Sequence, residues 1–477
     1  MPEKTLVRWD YYLMNTNEYG NETIAAISTP LGEGGIGIVR LSGSESFQTV
    51  LKIFDCRKSN EPDYPRSRYL YYGTVKDLKG EIVDEVLVSF MPAPYTYTRE
   101  DLVEINCHSG IINLRSILKI ILTMGIRLAE PGEFTRRAFL NGRIDLSQAE
   151  AVISLIRARS EEAAKASLRT LQGMLAETVN DIRKRIIAIR APIEAEIDYP
   201  EEFMDESPGK EETQQELLSI KSNLELLLNG VARSRAYQEG VAVAIIGKPN
   251  VGKSSLLNRL LGEQRAIVHE LPGTTRDLLE GHLMLGGYPL RLIDTAGIQG
   301  SDDPVEQEGI KRALSVAAEV QLILLVIDGS LPFDRGIIKQ LPPISRAQRV
   351  IVIINKSDLP QIVSADEVKE NIGAAAVLVS ALTGSGISLL EQTVADELDQ
   401  QFGDISDSPI LITVRQEEIL NEALSGIRQA EAALLSEPVE IVSLNLQYVW
   451  SILGQITGDI AGDDLLDKIF SEFCLGK

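Results

Sequence analysis

The sequence predicts a multi-domain protein of the α/β and α classes, and three changes of pattern along its 477 residues indicate this. Short strand-like runs separated by Gly and Pro extend to about residue 140, and apolar residues then take on helical spacing. From about residue 239 to 400 strands alternate with helices, which is typical of a doubly wound, mostly parallel sheet. Because the helical pattern returns after residue 400, we expect a helical domain that is interrupted by an inserted α/β domain.

The N-terminal region is predicted to be an α+β domain in which strands alternate with turn residues. Met14 is an alternative start, so the sequence leaves open whether residues 1–13 belong to the native protein. The predicted elements of this domain are strands Thr23–Ser28, Ile36–Leu41, Tyr69–Val75, Ile82–Phe90 and Leu102–Cys107 and a helix Ile112–Leu122. The predicted domains are 1–22 (N-terminal extension), 23–140 (α+β), 141–238 (first helical part), 239–400 (inserted α/β) and 401–477 (second helical part).

The helical region is predicted to begin near Ser147. Ser147 and Glu150 match a capping box, in which two side chains satisfy backbone N–H groups at a helix start. A helical stripe of apolar residues then runs from Leu168 to Ile186, and the acidic stretch Tyr199–Lys210 predicts a loop. We expect the two helical parts to pack together, with the α/β domain inserted between them.

Composition argues against several classes of protein. Lys and Arg number 47 and Asp and Glu number 69, so with a net charge of −22 this chain is not expected to be the main clamp on RNA. No apolar run reaches the ~18 residues of a membrane span, and the N-terminus lacks a signal-peptide pattern. Cys56, Cys107 and Cys474 are widely spaced, which argues against disulfides or a zinc site and fits a reducing cytosol. We therefore expect a cytoplasmic protein.

A phosphate-binding motif opens the inserted domain. Residues 247–254 read GKPNVGKS, which matches GxxxxGK[ST] between an apolar strand and a helix. Its glycines let backbone N–H groups wrap a phosphate, Lys253 should reach the β- and γ-phosphates, and the Ser254 hydroxyl should bind Mg²⁺. The alternative, a glycine-rich turn, does not explain the flanking strand and helix.

The motif DTAG follows the next strand of the sheet, at the expected order and distance. Its Asp294 stands where P-loop proteins hold Mg²⁺ through a carboxylate, and the Gly297 N–H can contact the γ-phosphate. The intervening loop reads GTTRD, and a hydroxyl there completes the Mg²⁺ shell when GTP is bound. We therefore predict that this is the first switch loop and that Thr275 is its Mg²⁺ ligand.

The motif NKSD predicts a guanine nucleotide. Its Asp358 can accept hydrogen bonds from the guanine N1–H and N2 amine, a donor pair that adenine lacks. Lys356 is expected to lie along the base plane, and Ser380-Ala381 fits the backbone contact to guanine O6. The alternative is a polar turn at a strand end, but the order of the four motifs favours a GTP site.

Hydrolysis is not expected to follow the Ras pattern. Ras-type enzymes place a Gln after DxxG to orient the attacking water, whereas this chain has Ile298. One candidate replacement is Glu306, in an acidic stretch that is alternatively only a solvated loop. The other is a monovalent cation that Asn250 helps to hold near the phosphates.

One further glycine motif is a decoy. Gly32-x-Gly34-x-x-Gly37 matches the dinucleotide fingerprint, but that fingerprint must open a helix. The residues that follow, IVRLS, have the β-branched pattern of a strand, so we interpret the glycines as a turn.

These motifs together resemble those of the MnmE (TrmE) family of tRNA-modifying GTPases. The resemblance extends from about Thr23 to Lys477, and its most specific matches are GIGIVR at 35–40, PGEFTRRAFLNGRIDLSQAEA at 131–151 and FCLGK at 473–477. It implies an N-terminal folate-binding and dimerisation domain and a helical domain split by a Ras-like P-loop G domain. It also implies a homodimer whose G domains associate with K⁺ during hydrolysis.

The resemblance implies a reaction and its partners as well. With the flavin-dependent protein MnmG (GidA), in a heterotetramer, family members add an aminomethyl or carboxymethylaminomethyl group at C5 of the tRNA wobble uridine. The one-carbon unit comes from a tetrahydrofolate, in its 5-formyl or 5,10-methylene form.

The resemblance also assigns residues. It gives Glu306 a catalytic role and Cys474 a possible modification role, although a core cysteine is the simpler interpretation from the amphipathic tail alone. Arg40 and Glu104 lie on predicted strands, where a surface role is the ordinary alternative. The implied folate contacts are Arg40, Glu104, Arg143 and Lys477, and the implied K⁺ ligands are Asn250, His269, Leu271 and Thr274. The complete predicted GTP-binding set is Asn250, Val251, Gly252, Lys253, Ser254, Ser255, His269, Glu270, Leu271, Pro272, Gly273, Thr274, Thr275, Asp294, Thr295, Ala296, Gly297, Asn355, Lys356, Asp358, Ser380 and Ala381.

Three other classes of GTPase compete with this interpretation. A ribosome-assembly GTPase of the Era or Der type predicts a basic RNA-binding domain or a second P-loop, and the sequence has neither. A dynamin-like membrane GTPase predicts a Lys-rich amphipathic segment, which is also missing from the sequence. A purely regulatory switch predicts slow hydrolysis that does not respond to K⁺.

Overall fold

The computed structural model describes residues 22–56, 64–158, 160–198, 209–262, 282–293, 320–334, 336, 348–403, 410–460 and 462–476. The chain divides into two compact units, Met1–Glu150 with Thr457–Lys477, and Ala151–Ile456. None of the described helices is long and apolar enough to cross a membrane.

The N-terminal part of the first unit is a seven-stranded sheet, which is antiparallel except for the parallel pair of β1 and β7. The strand order is β3-β4-β5-β6-β2-β1-β7. Two helices cover one face of the sheet. Leu114 and Ile117, which lie on one of these helices, pack against buried strand residues such as Val103 and Ile105. The elements are β1 (Ile24–Ile27), β2 (Gly37–Ser42), α1 (Ser46–Ile53), β3 (Phe54–Cys56), β4 (Leu70–Lys76), β5 (Ile82–Met91), β6 (Leu102–Cys107), α2 (Ile111–Thr123), β7 (Arg127–Leu128) and α3 (Glu133–Leu140).

The five predicted strands and the predicted helix of this region are confirmed, with bounds that differ by at most one residue. The prediction that the glycine motif ending at Gly37 is not a dinucleotide fingerprint is confirmed, because Gly37 begins strand β2 and not a helix. Glu104 lies between Val103 and Ile105, both fully buried, and therefore faces the opposite side of the sheet.

The helical layer of the second unit has one core, to which both sides of the insertion contribute. Leu175, Val179, Ile182 and Ile186 from before the inserted domain share it with helices from after the domain, so the predicted packing of the two helical parts is confirmed. The helices are α4 (Leu146–Arg157), α5 (Glu161–Leu171), α6 (Met174–Asp198), α7 (Lys210–Asn229) and α8 (Val231–Gln238), and, after the insertion, α12 (Val414–Ser436) and α13 (Val439–Thr457). The predicted loop Tyr199–Lys210 lies outside the described residues except for its last two positions, where Lys210 begins α7.

Two local predictions in this layer are wrong. The capping box at the start of α4 is formed by Asp145 and Gln148, not by Ser147 and Glu150. The Gln148 N–H donates to Asp145 Oδ1 at 2.9 Å, and the Asp145 N–H donates to Gln148 Oε1 at 2.9 Å. The hydroxyl of Ser147 donates to Asp145 instead of capping the helix, so the helix begins earlier than expected.

The predicted stripe from Leu168 to Ile186 is likewise not one helix. Gly173 takes a φ of +100°, a conformation that favours glycine, and it separates α5 from α6. Leu168 is 44% exposed, so the buried stripe starts at Leu175 on the second helix.

The inserted domain is a six-stranded sheet with strand order β13-β12-β11-β8-β10-β9, parallel except for the β9–β10 pair. Alternate residues of its strand Leu322–Asp328 belong to two different hydrophobic clusters, so helices and loops cover both faces. The doubly wound, mostly parallel sheet is confirmed. The elements are β8 (Val241–Ile246), α9 (Lys253–Gly262), β9 (His282–Leu285), β10 (Tyr288–Leu292), β11 (Leu322–Asp328), β12 (Arg349–Asn355), α10 (Ala365–Ile372), β13 (Ala375–Leu378) and α11 (Ile387–Phe402).

The C-terminal segment returns to the first unit. Helix α14 (Asp463–Ser471) packs on α3, and Arg136 donates to Asp467 at 2.7 Å. Gly132 lies so close that a Cβ there would be 2.5 Å from the Phe470 carbonyl oxygen. Residues 141–150 and the described residues from 457 onward therefore cluster with the N-terminal unit. The predicted domain boundaries stay predictions.

Candidate functional site

The candidate nucleotide site lies at the carboxyl edge of the six-stranded sheet. Strand β8 has β11 on one side and β10 on the other, so the strand order reverses there. Ligands of open α/β sheets bind in the crevice at such a switch point. The loop after β8 and the loops after β11, β12 and β13 meet at this edge, and they carry the motifs that the sequence predicted.

The loop at residues 247–252 has the backbone of a phosphate cradle. Asn250 and Gly252 have φ angles of +63° and +98°, and a Cβ at Gly247 would lie 2.3 Å from the Val326 carbonyl oxygen. The ammonium group of Lys253 donates to the carbonyls of Gly247 at 2.8 Å and of Lys248 at 2.7 Å. The first helical residue thus directs its charge back over the loop, where phosphates are predicted to bind.

Asn355 joins two of the site's loops. Its Nδ2 donates to the Val251 carbonyl at 2.8 Å, and its Oδ1 accepts from the Ala381 N–H at 3.0 Å. The residue is only 2% exposed, and a Cβ at Gly252 would lie 2.1 Å from its Nδ2. The Asn355 amide therefore holds the 247–252 loop against the turn after β13, and its predicted contact with GTP stays a prediction.

Asp358 is oriented by its neighbours on the base-binding side. The Ser380 hydroxyl donates to Asp358 Oδ1 at 2.5 Å, and the same hydroxyl accepts from the Thr383 N–H at 3.1 Å. These bonds fix one carboxylate oxygen and the turn after β13 in a single arrangement. The carboxylate is therefore positioned before any base arrives.

Lys356 is fixed by a carboxylate at the end of the neighbouring strand. Its Nζ lies 2.6 Å from Asp328 Oδ2, and its own φ is +65°. Burial alone would raise the pKa of Asp328, but hydrogen bonds from Lys356 and Ser330 hold the pKa below its ordinary value. Asp328 therefore stays ionised and anchors the Lys356 chain beside the base-binding turn.

Arg259 also contributes to this site, and no sequence motif pointed to it. It lies on the helix that follows the phosphate loop, and its guanidinium donates to the Ala381 carbonyl at 3.2 Å and to the Leu382 carbonyl. A single arginine on a helix face is ordinary in sequence, and only the fold brings it to the turn that holds Ser380.

Ser254 and Ser255 follow Lys253 in the first turn of α9 and are exposed. Among the described residues, no group of three or more His, Cys, Asp or Glu side chains could hold a metal ion. The predicted residues that lie outside the described ones are His269, Glu270, Leu271, Pro272, Gly273, Thr274, Thr275, Asp294, Thr295, Ala296, Gly297, Glu306 and Lys477.

A second cluster lies on the seven-stranded sheet of the first unit. Arg40 on β2 and Glu104 on β6 are register partners, and the guanidinium donates twice to Glu104 Oε1, at 2.9 and 2.7 Å. The Arg143 guanidinium lies 4.6 Å from the ring centre of Tyr97, and that of Arg40 lies 5.9 Å from the same ring. The fold therefore gathers the three described folate candidates around Tyr97, which sequence reasoning missed.

The C-terminal tail reaches this cluster. Arg40 Nη1 donates to the Gly476 carbonyl at 3.5 Å, and Gly476 has a φ of +90°, where a Cβ would lie 2.3 Å from the Ile27 carbonyl oxygen. Cys474, three residues from the end, is exposed. Cys107 differs, since it is buried and its burial raises the pKa of the thiol to about 11. Of the three cysteines, only Cys474 is accessible for chemistry.

The cradle at residues 247–252, followed by a helix and joined through Asn355 to an oriented NKSD carboxylate, defines a P-loop GTPase domain. Two family models match the chain, the MnmE helical domain over residues 146–474, a range that includes the inserted domain, and the N-terminus of the GTP-binding protein TrmE over residues 23–143. The chain belongs to the MnmE family.

Curated relatives match over nearly their full length. The tRNA modification GTPase MnmE of Streptococcus pneumoniae (strain Hungary19A-6) is 42% identical over 97% of this chain and 100% of that protein. The protein of the same name from Carboxydothermus hydrogenoformans is 45% identical over 96% of this chain and 99% of that protein.

Solved structures of other GTP-binding proteins match a smaller share of this chain. The G domain of the T. maritima FeoB iron transporter is 28% identical, over 33% of this chain and 98% of that one, with a TM-score of 0.24. Aquifex aeolicus Era bound to GDP and aluminium fluoride is 32% identical over 33% of this chain and 56% of that one, with a TM-score of 0.25. The assignment of the family does not depend on these two alignments.

Proposed function

We propose that this chain hydrolyses GTP in order to drive modification of C5 of the wobble uridine in tRNA, together with a flavin-dependent partner of the MnmG type. The observation that carries the proposal is the match to curated tRNA modification GTPases over 96–97% of the chain. The oriented phosphate and base loops of the inserted domain support the GTPase part. The acidic net charge of −22 makes it reasonable that tRNA is held mainly through the complex.

The nucleotide is bound by the residues of the carboxyl edge. The N–H groups of the 247–252 loop wrap the phosphates, Lys253 neutralises their charge, and Asp358 selects guanine. Ser254, Thr275 and Asp294 would hold Mg²⁺, which supplies charge neutralisation at the β- and γ-phosphates. Asn355 and Arg259 keep the two loops at a fixed separation, so the triphosphate and base are bound in one rigid arrangement.

Ile298 follows DTAG, and its aliphatic side chain cannot orient the attacking water. Activation of that water is therefore assigned to other residues. Glu306 is the proposed group that orients the attacking water. Asn250, Thr274 and the backbones of His269 and Leu271 would hold K⁺, which supplies positive charge beside the phosphates where an arginine finger acts in other GTPases. Asn250 is the one of these residues whose backbone is described, and its φ of +63° places it at the turn of the loop.

The second cluster is proposed to bind a tetrahydrofolate, in its 5-formyl or 5,10-methylene form, which supplies the one-carbon unit. Its donor set fits such a ligand. The Glu104 carboxylate, held by Arg40, can accept from the donors of a pterin ring, and Arg143 and Lys477 can bind a glutamate tail. Tyr97 and Phe134 flank the Arg40 guanidinium and give the cluster apolar walls. Cys474 remains a candidate for a role in modification.

The N-terminal unit is proposed to form the homodimer. Tyr72 and Leu87 are neighbours across β4 and β5 and are 61% and 39% exposed, and Leu70 beside them is 55% exposed. Large apolar side chains that are adjacent and exposed on a sheet mark an interaction surface. A copy of the same face would cover them in a twofold arrangement.

Deletion of the gene should abolish the C5 modification of wobble uridines, and the wild-type gene should restore it. The measurement is mass analysis of nucleosides from purified tRNA. An Arg40→Ala variant, which removes both bonds to Glu104, is expected to restore at most about a tenth of the modification while its GTPase rate stays within twofold. Unchanged wobble uridines in the deletion strain would refute the assigned pathway and leave a ribosome-assembly role of the Era or Der type as the alternative.

Replacing Na⁺ by K⁺ at equal ionic strength is expected to raise the GTPase rate by at least about tenfold, because the bound cation adds positive charge beside the phosphates to that of Lys253. Phosphate release is measured in both salts. Sedimentation velocity on the same samples should show a dimer in each salt, since the proposed N-terminal contact does not use the cation. Equal rates in Na⁺ and K⁺ would rule out the cation mechanism.

A further inference from the structure

One short helix of the second unit belongs to two hydrophobic cores. Val231, at the start of α8, lies in the core of the helical layer, whereas Ala236 and Tyr237, near its end, lie in the core of the inserted domain. Val231 and Ala236 are five positions apart on this helix, so about 8 Å separates these two anchors along its axis. A rigid element of this size cannot move with respect to one core without disturbing the other.

Aromatic packing fixes the end of α8 to the sheet. The rings of Tyr237 and Tyr288 stack with their centres 4.6 Å apart and their planes 17° apart. The Tyr288 hydroxyl donates to Asp399 Oδ1, on α11, at 2.7 Å, although Tyr288 is only 1% exposed. Burial, with the hydrogen bonds to Tyr237 and Asp399, raises the pKa of Tyr288 well above its ordinary value, so the hydroxyl remains a donor.

A second contact fixes α8 to the end of α11. The Arg233 guanidinium donates from Nε at 3.0 Å and from Nη2 at 2.9 Å to the Phe402 carbonyl, which is the last residue of that helix. A Cβ at Gly403 would lie 2.4 Å from Arg233 Nη2, so the chain there is shaped around the guanidinium. Ser234 accepts from the Ile412 N–H at 3.3 Å, which ties the entry of the insertion to its exit.

The strand that starts with Tyr288 leads towards the nucleotide. Strand β10 runs parallel to β8, with Leu292 opposite Val243, and β8 continues into the phosphate loop. Asp294 of DTAG follows the last residue of β10 by two positions in the sequence. Because a strand rises about 3.3 Å per residue, Tyr288 and Leu292 are roughly 13 Å apart along a rigid path.

We propose that Tyr288 is a positioning residue for GTP hydrolysis. Through Tyr288, the helical layer determines the position of the end of β10 that precedes DTAG. The hydroxyl bond to Asp399 and the stacking on Tyr237 hold the start of the strand. A displacement of α8 therefore changes the position of the far end of β10. Conversely, a change of the bound nucleotide alters the position of α8 through the same strand. This inference rests on the proposed GTPase activity and extends it to the connection between the two layers.

The test uses the full chain with the substitution Tyr288→Phe, which removes the hydroxyl and keeps the ring. The kcat for GTP in K⁺ should fall about threefold to tenfold, while the Kd for GDP stays within twofold. Hydrogen exchange of the α8 amides should differ between the GDP and GTP-analogue complexes of the wild type, and this difference should shrink in the variant. A purely structural role would lower the unfolding temperature without altering either readout.

Two variants of Asp399 separate the loss of the hydrogen bond from the residue change, and a third variant is the control. Asp399→Asn keeps an acceptor oxygen and should retain near wild-type kcat, whereas Asp399→Ala should match Tyr288→Phe. Tyr448→Phe, which removes an exposed hydroxyl bonded to Glu422 elsewhere in the same unit, should change nothing. A wild-type kcat in the Tyr288→Phe variant, or hydrogen exchange of the α8 amides that does not depend on the nucleotide, would overturn this inference but not the proposed function. A wild-type chain that does not hydrolyse GTP would overturn the proposed function as well.

Discussion

The substitution Asp358→Asn should lower the affinity for GDP by roughly 100-fold or more, about 2.7 kcal/mol, and should shift preference towards xanthine nucleotides. A carboxylate offers two acceptors to the N1–H and N2 amine of guanine, whereas an amide offers one acceptor and one donor group. The donor would face the N2 amine of guanine, but it would meet an acceptor oxygen in xanthine. Fluorescence titration with labelled GDP and XDP measures both changes.

The matched control for this variant is Ser380→Ala. It removes the hydroxyl that donates to Asp358 Oδ1 at 2.5 Å but leaves the carboxylate itself. The expected result is a loss of about fivefold in affinity for both nucleotides, since the carboxylate loses orientation and not its acceptor character. If Asp358→Asn binds GDP as tightly as the wild type, Asp358 does not read the base.

The parts of this site that follow from sequence are the ones set by local chemistry. The GKPNVGKS loop requires glycine at two crowded or left-handed positions, and a strand and a helix must flank it, so its pattern is specific. Asn355 was expected in the site, but its bonds to two other loops were not foreseen. Its amide bonds to Val251 and Ala381, which are distant along the chain, and no spacing rule predicts such a contact.

The same difference, between local chemistry and contacts distant in the chain, explains which parts of the fold were predicted correctly. Strands with alternating or continuous apolar residues were located to within one residue, because burial of one or both faces sets their period. The start of α4 was misjudged because two overlapping pairs, Asp145 with Gln148 and Ser147 with Glu150, each suit a cap, and only tertiary packing decides between them. The return of α14 to α3 depends on Phe470 against Gly132, a contact between residues far apart in the chain.

The substitution Lys253→Ala should lower kcat/KM for GTP by about 100-fold to 1000-fold, the cost of removing one charged donor from a developing phosphate charge. Its ammonium already lies against the Gly247 and Lys248 carbonyls of the cradle, so it is placed to follow the phosphates when they bind. Steady-state phosphate release measures the rate constant. Thermal unfolding without nucleotide checks that the variant is folded.

Lys248→Ala is the matched control, because it makes the same change five positions earlier in the same loop. Lys248 is half exposed and forms an ion pair with Asp334, which is also half exposed. Such exposed pairs contribute about 0–1 kcal/mol, so kcat/KM should fall by less than about fivefold. If the two lysine variants lost equal activity, the charge of the loop as a whole would be responsible, and the specific role of Lys253 at the phosphates would be wrong.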